Sequence, residues 1–204
     1  MKLKNETLSK NFLIYGFGKS GISSLKYLKK KNRCFIFDDD KKKIRNKYKK
    51  FFISKSKLLI SNFDYIVISP GININRCQLS NYLKKNQKKV ITDFDIFYKF
   101  NPEVLTITIT GTNGKSTTSK LLYDILKKHH YDTRLTGNIG NPILEEKRVT
   151  KNTIFVIEAS SYQLAYSKYF KSKFSIIINI SPDHLERHNT CLLYTSDAAD
   201  DTCC

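Results

Sequence analysis

Gly114, Lys115 and Ser116 stand together in the 204-residue chain and combine a turn, a cation and a hydroxyl. Successive backbone N–H groups at a glycine turn that opens a helix form a cradle for an anion, and the helix dipole favours negative charge there. Lysine adds charge and a serine or threonine hydroxyl can ligate Mg2+. The run Thr110-Gly111-Thr112-Asn113-Gly114-Lys115-Ser116-Thr117 therefore reads as a nucleotide-phosphate loop. Its spacing departs from the common pattern G-x-x-x-x-G-K-S/T, because Ile109 stands where the first glycine belongs and the turn glycine is Gly111. Two further residues sharpen the reading. Glu158 follows a strand-like run at 153–157, and His184 follows another at 173–180. Ligands of parallel sheets bind beyond the carboxyl ends of strands, and carboxylate, hydroxyl and phosphate oxygens make a Mg2+ shell. Alone, Glu158 reads as a helix-start acid and His184 as a surface histidine; beside a phosphate loop they read as a site.

A second glycine turn lies earlier. Gly16-Phe17-Gly18-Lys19-Ser20-Gly21 fits the G-x-G-x-x-G fingerprint, and Asp38, seventeen residues beyond Gly21, fits the acid that holds a ribose hydroxyl. By itself this turn suggests a nicotinamide or flavin enzyme. Such an enzyme has no need of the Lys115 loop.

Strands and helices must place these residues. Residues 11–15 form a short apolar run entering the first turn, Ile22, Leu25 and Leu28 follow at helical spacing, and residues 34–37 make a second strand ending at Asp38. Further strands are expected at 65–68, stopped by Ser69-Pro70-Gly71, and at 90–92 before Asp93. Asn101-Pro102 breaks the pattern, and a β-branched strand at 104–109 restarts it, with Leu121, Leu122, Ile125 and Leu126 forming a helical apolar face behind the phosphate loop. Strands alternating with helices predict an α/β protein with two parallel sheets in tandem, one over residues 1–98 and an incomplete second over 103–190.

Composition bounds the function classes. With 40% hydrophobic and 26% charged residues the chain is globular and not disordered. Its longest apolar runs fall short of the roughly 20 residues a bilayer requires, and the charged start, Met1-Lys2-Leu3-Lys4, argues against a secretory signal. A cytoplasmic protein without membrane insertion is expected. The net charge of +18 invites a nucleic-acid reading. Only residues 33, 45, 76, 134, 148 and 187 among the 36 basic positions are arginine, however, the residue favoured for bidentate phosphate and base contacts. Lysine rises together with Asn, Ile, Phe and Tyr, as A/T-rich codons dictate, so the lysine runs read as solvated surface and no nucleic-acid partner is expected. Five cysteines, at 34, 77, 191, 203 and 204, show neither a disulfide framework nor metal spacing in the body of the chain, and Cys34 reads as a small core residue.

Taken in order, six motifs resemble the Mur ligases of peptidoglycan synthesis, and within them the D-glutamate-adding branch. They are the turn at 16–21, Ser69-Pro70-Gly71-Ile72, the loop at 110–117, Gly137-Asn138-Ile139-Gly140, the run from Glu158 through Ser160 and Gln163 to Leu164, and Asp183-His184-Leu185-Glu186-Arg187-His188. The resemblance implies a Rossmann-like N-terminal domain that binds a UDP-sugar in place of NAD, followed by a P-loop-type ATP domain. It also implies an ATP-dependent ligase joining D-glutamate to UDP-N-acetylmuramoyl-L-alanine through an acyl phosphate, with ATP and Mg2+ as cofactors.

Roles follow by position from the same resemblance. Lys115 and the loop residues Gly111, Thr112, Asn113, Gly114, Ser116 and Thr117 would hold ATP, with Lys115 and His184 catalytic. Ser116 and Glu158 would bind one Mg2+, and His184 would help bind a second. Lys19, Ser20, Asp38, Asp39 and Ser69 would hold the UDP moiety, and Asn138 and Gln163 the muramoyl part. Asp39 departs from the familiar threonine there. The family continues beyond the Asp-His motif with a metal-supporting lysine and a D-glutamate-binding domain. Residues 191–204 read instead as a non-native tail without lysine. The chain is expected to be a monomer and, ending where it does, inactive by itself.

Overall fold

The structure is a computed structural model that describes residues 9–181. The chain divides into two units, Met1–Phe100 and Asn101–Cys204.

In the first unit β1 (Asn11–Tyr15) leads into α1 (Lys19–Leu28) and β2 (Arg33–Phe37). Two 3-10 segments, Lys41–Lys43 and Asn46–Phe51, and the short α2 (Lys55–Ile60) connect to β3 (Tyr65–Ile68). The unit ends with α3 (Ser80–Lys85), β4 (Val90–Ile91) and α4 (Asp93–Phe100). All pairings are parallel, in the order β2-β1-β3-β4. β1 is central, so it is covered on both faces. Phe12, Leu13, Ile14 and Tyr15 are all buried, which is why the strand reads as a continuous apolar run and not as an alternation. On α1, Leu25 and Leu28 are buried with Ser23 and Ser24, while Lys26, Lys29 and Lys30 stay exposed. The small serines let the helix lie close to the sheet. Cys34 is buried in β2, and that burial pushes its thiol up to about 12, which leaves it an unreactive core residue.

The second unit contains β5 (Leu105–Thr110), α5 (Lys115–Lys128), β6 (Thr133–Gly137), β7 (Ile154–Glu158), α6 (Ser161–Tyr166) and β8 (Phe174–Ile177). Its sheet is also parallel, ordered β6-β7-β5-β8. The core is made by Ile109 on β5 and Phe155, Val156 and Ile157 on β7, all without solvent exposure. The apolar face expected on α5 is only half realised. Ser119 is the buried position and Leu122 and Leu126 follow it inward at i+3 and i+7, which turns Leu121 (60% exposed) and Ile125 (46%) outward. β8 is an edge strand with all four residues exposed, and it is shorter than the run at 173–180 suggests. Among the described residues no helix is long and apolar enough to cross a membrane.

Candidate functional site

The phosphate loop leaves the carboxyl end of β5 and is shaped by two glycines. Gly111 (φ +141°) and Gly114 (φ +84°) take conformations that side chains rarely adopt, and Gly114 is the N-cap of α5. Among the described residues no side chain caps this helix and no hydrogen bond occupies the amides of Gly114, Lys115, Ser116 or Thr117. By contrast, Ser160 and Gln163 cap α6 with a reciprocal capping box. An uncapped helix start behind a glycine turn, bearing several free N–H donors, is built to receive an anion. Lys115 folds back over the loop and donates from Nζ to Gly111 O at 2.6 Å and Thr112 O at 2.8 Å. Its ammonium is thus held at the loop by two carbonyls and can turn to an incoming phosphate. Ser116 and Thr117 lie exposed on the first helical turn.

Glu158 ends β7 in register with Ile109, two residues before Gly111. It is 3% exposed, and its Oε2 has no hydrogen-bond partner among the described residues. A buried carboxylate oxygen without a partner is costly, and sites that hold a cation are where such a cost is met. The donor set therefore fits Mg2+, which takes one or two carboxylates and completes its shell with phosphate and water oxygens. Among the described residues no group of three or more His, Cys, Asp or Glu converges. Next to Glu158, Gly137 (φ +105°) approaches so closely that a Cβ there would lie 2.1 Å from Glu158 O, and the Asn138 amide donates to that same carbonyl at 2.9 Å. This brings Asn138 to the carboxyl end of β7. Gln163 is buried, and its Oε1 accepts from Ser160 N and Oγ, so its carbonyl serves the capping box. His184 lies outside the described residues.

In the first unit the glycine turn follows β1. Gly16 (φ +90°) donates its amide to Phe37 O and accepts the Ser69 hydroxyl at its carbonyl, at 2.6 Å. Ser69 is thereby a tie across the end of the sheet. Asp38 is buried, and both of its carboxylate oxygens face backbone amides: Oδ2 accepts from Phe17 N at 2.6 Å and Oδ1 from Asp40 N at 2.9 Å. The acid read as a ribose ligand is therefore first a shaper of the turn. Asp39 accepts from the Tyr15 hydroxyl at 2.7 Å and from the Gln78 amide at 3.4 Å. Burial, with that hydrogen bond adding to it, raises the Tyr15 phenol well above its ordinary value, so it stays a donor. Lys19 is exposed at the start of α1, which like α5 begins at a glycine and has no side-chain cap.

Two further residues at these turns carry little signal in the sequence. Asp93, the first residue of α4, is buried and takes a hydrogen bond from the Ser20 side chain; burial pushes its carboxyl up to about 6. An acid directly after a strand-like run was the available signal. Asn179, just past β8, is bonded to Thr112 and Asn113 of the phosphate loop, and a lone asparagine carries no signal in sequence.

Comparison with known proteins accounts for both units. The N-terminal domain of MurD-like Mur ligases matches residues 10–92, and the Mur ligase middle domain matches residues 109–197. Curated relatives include the UDP-N-acetylmuramoylalanine–D-glutamate ligases of Caldicellulosiruptor bescii, 37% identical over 91% of this chain and 43% of that protein, and of Clostridioides difficile, 34% identical over 91% and 43%. That of Rickettsia bellii is 37% identical over 87% of this chain and 40% of its own length. The chain thus spans less than half the length of these relatives. Among solved structures, the UDP-N-acetylmuramate:L-alanyl-gamma-D-glutamyl-meso-diaminopimelate ligase from Neisseria meningitides superposes with a TM-score of 0.56 at 13% identity, over 93% of this chain and 66% of that one. UDP-N-acetylmuramate-alanine ligase from Thermotoga maritima gives 0.54 at 18%, over 92% and 46%. At such identities these two speak for the fold alone. Two consecutive domain matches, laid over the two parallel-sheet units in chain order, make this chain a member of the Mur ligase family.

Proposed function

We propose that this chain is the UDP-precursor-binding and ATP-binding portion of an ATP-dependent ligase that joins D-glutamate to UDP-N-acetylmuramoyl-L-alanine in peptidoglycan synthesis. The observation that carries the reading is that, among the described residues, the start of α5 has no side-chain cap and the buried Glu158 oxygen on the adjacent strand has no partner. In this reading an anion and a cation meet at the carboxyl ends of the adjacent strands β5 and β7. Relatives named for this reaction support the substrate assignment.

In this reading the amides of Gly114 to Thr117 and the Lys115 ammonium receive the ATP phosphates, with Gly111, Thr112 and Asn113 shaping the loop. Ser116 and Glu158 would hold Mg2+, with His184 contributing to a second ion; when bound, the metal would supply positive charge that offsets the negative charge on the transferring phosphoryl group. A carboxylate oxygen of the precursor attacks the γ-phosphorus, the bond to the bridging oxygen breaks and ADP leaves. The amine of D-glutamate then attacks the acyl phosphate carbon, loses a proton and expels inorganic phosphate, forming the peptide bond. Two anions must meet in the first step, and Lys115 lowers their repulsion by fixed positive charge. The first unit holds the UDP moiety with Lys19, Ser20, Asp38, Asp39 and Ser69, and Asn138 and Gln163 contact the muramoyl part. A cytoplasmic monomer that takes no nucleic acid belongs to the same reading.

The test compares the 204-residue chain with a version extended to the length of its relatives, each given ATP, Mg2+, D-glutamate and UDP-N-acetylmuramoyl-L-alanine. Chromatography is expected to show UDP-N-acetylmuramoyl-L-alanyl-D-glutamate from the extended chain and none from the shorter one. An extended chain that hydrolyses ATP but makes no such product, or joins a different amino acid, would refute the assignment.

A further inference from the structure

The loop that would hold ATP is clamped from the neighbouring strand by one side chain. Asn179 presents a complete amide to the peptide of Asn113: its Oδ1 accepts from Asn113 N at 2.9 Å and its Nδ2 donates to Asn113 O at 2.9 Å. Its main chain extends the same seam, since Asn179 O accepts from Thr112 N at 3.1 Å. On either side, Ile178 N donates to Thr110 O at 3.0 Å and Ser181 N to Thr112 Oγ1 at 3.0 Å, with Thr112 Oγ1 donating in turn to Ser181 O. The β5–β8 pairing thus continues beyond the last paired residues, Thr110 and Ile177, and runs along the loop. At Asn113 a side-chain amide stands in for the partner strand's peptide.

This matters because the loop is intrinsically loose. Gly111 and Gly114 flank Thr112 and Asn113, and glycine loses more conformational freedom on ordering than any other residue. Without a clamp, an incoming anion would bear that ordering cost as lost affinity. Fixing both polar groups of the Asn113 peptide sets the chain direction into Gly114, after which the amides of Gly114 to Thr117 have no partner among the described residues. Only an amide side chain offers the donor and acceptor this pairing uses. Aspartate lacks the N–H and brings negative charge toward the phosphates, and serine cannot span two groups.

We infer that Asn179 is a positioning residue of the phosphate loop: it does not touch the nucleotide but holds the Asn113 peptide so that the following amides are pre-set for phosphate. The inference rests on the reading of that loop as the ATP site, which the Glu158 oxygen beside it supports independently of Asn179.

The experiment has two parts on the 204-residue chain. Calorimetric titration with Mg2+ and the non-hydrolysable ATP analogue AMPPNP is expected to show about tenfold weaker binding for Asn179→Ala, the loss of two hydrogen bonds of ordinary net worth. Affinity for UDP-N-acetylmuramoyl-L-alanine is expected to be unchanged, a split that general destabilisation would not produce. Wild-type protein that fails to bind AMPPNP counts against the ATP reading itself; wild-type binding matched by the variant overturns the Asn179 inference alone. Should the variant not fold, amide exchange on the nucleotide-free wild type decides: the Asn113 amide should exchange slowly and those of Lys115 and Ser116 quickly. Asn113 exchanging as fast as Ser116 would overturn the clamp.

Discussion

The carboxylate of Asp38 accepts the Phe17 amide at 2.6 Å, tying the acid that follows β2 to the glycine turn that follows β1. The same side chain takes the Asp40 amide on its other oxygen. Removing it strands a buried backbone donor, so Asp38→Ala is expected to destabilise the first unit by about 2 kcal/mol, and Asp38→Asn by less because its amide oxygen still accepts. Urea unfolding of the three proteins checks the order. Equal midpoints for Asp38→Ala and wild type would mean that the turn is held by other contacts.

Glycines 18 and 21 belong to one fingerprint but face different constraints. A Cβ on Gly21 would lie 2.1 Å from Gly16 O, a backbone atom that cannot swing away, whereas one on Gly18 meets nothing within 4 Å. Gly21→Ala is expected to cost about 3 kcal/mol, and Gly18→Ala to leave stability within about 0.5 kcal/mol. Thermal melts of the two variants test this, and a loss of UDP-precursor affinity in Gly18→Ala would then report on the ligand and not on the fold. A Gly21→Ala protein as stable as wild type would contradict the close approach.

Much of this was legible in the residues themselves. Phe12 to Tyr15 are buried on both faces of a central parallel strand, so their apolar run announces itself, and the glycine turn after them fixes where the strand ends. β6 escaped notice because Thr133-Arg134-Leu135-Thr136-Gly137 is a mixed, edge-strand sequence whose place is set by pairing with β7. The 3-10 segments between β2 and β3 were hidden in a lysine-rich stretch whose charge speaks of solvent and says little about backbone. On α5 the apolar spacing gave the helix but not its facing, which turns on the small Ser119. Asn179 was out of reach for a different reason. Its partners are 66 residues away in sequence, and only the parallel β5–β8 pairing brings them together.

Asp93 makes the first unit pH-sensitive. Burial raises its carboxyl from an ordinary 3.8 to about 6, although the Ser20 hydrogen bond opposes the rise. The folded state therefore binds the proton more tightly than the unfolded chain, and this residue's contribution to stability falls as pH rises from about 4 to about 6. Asp93→Asn removes that slope. Its stability relative to wild type should increase by about 2 kcal/mol between pH 4 and pH 7.5, read from urea unfolding at both values. The same difference at the two pH values would show that burial does not raise the Asp93 carboxyl.

Among the described residues the buried Glu158 Oε2 has no hydrogen-bond partner, and Mg2+ binding is the role proposed for it. Glu158→Gln removes the buried charge, so its melting temperature should equal or exceed that of wild type while its Mg2+-dependent affinity for AMPPNP falls about tenfold or more. A variant with unaltered Mg2+ dependence would remove Glu158 from the metal site.

One glycine turn is expected to take a UDP-linked precursor and the other ATP. Calorimetric titration of wild type and Lys115→Ala with UDP-N-acetylmuramoyl-L-alanine, with Mg2+-AMPPNP and with NADH tests it most directly. Wild type is expected to bind the first two and not NADH, and Lys115→Ala to keep its affinity for the UDP precursor while losing about tenfold or more for AMPPNP, because the lysine charge on the phosphates is gone. Binding of NADH with no affinity for the UDP precursor, or AMPPNP binding indifferent to Lys115, would contradict it.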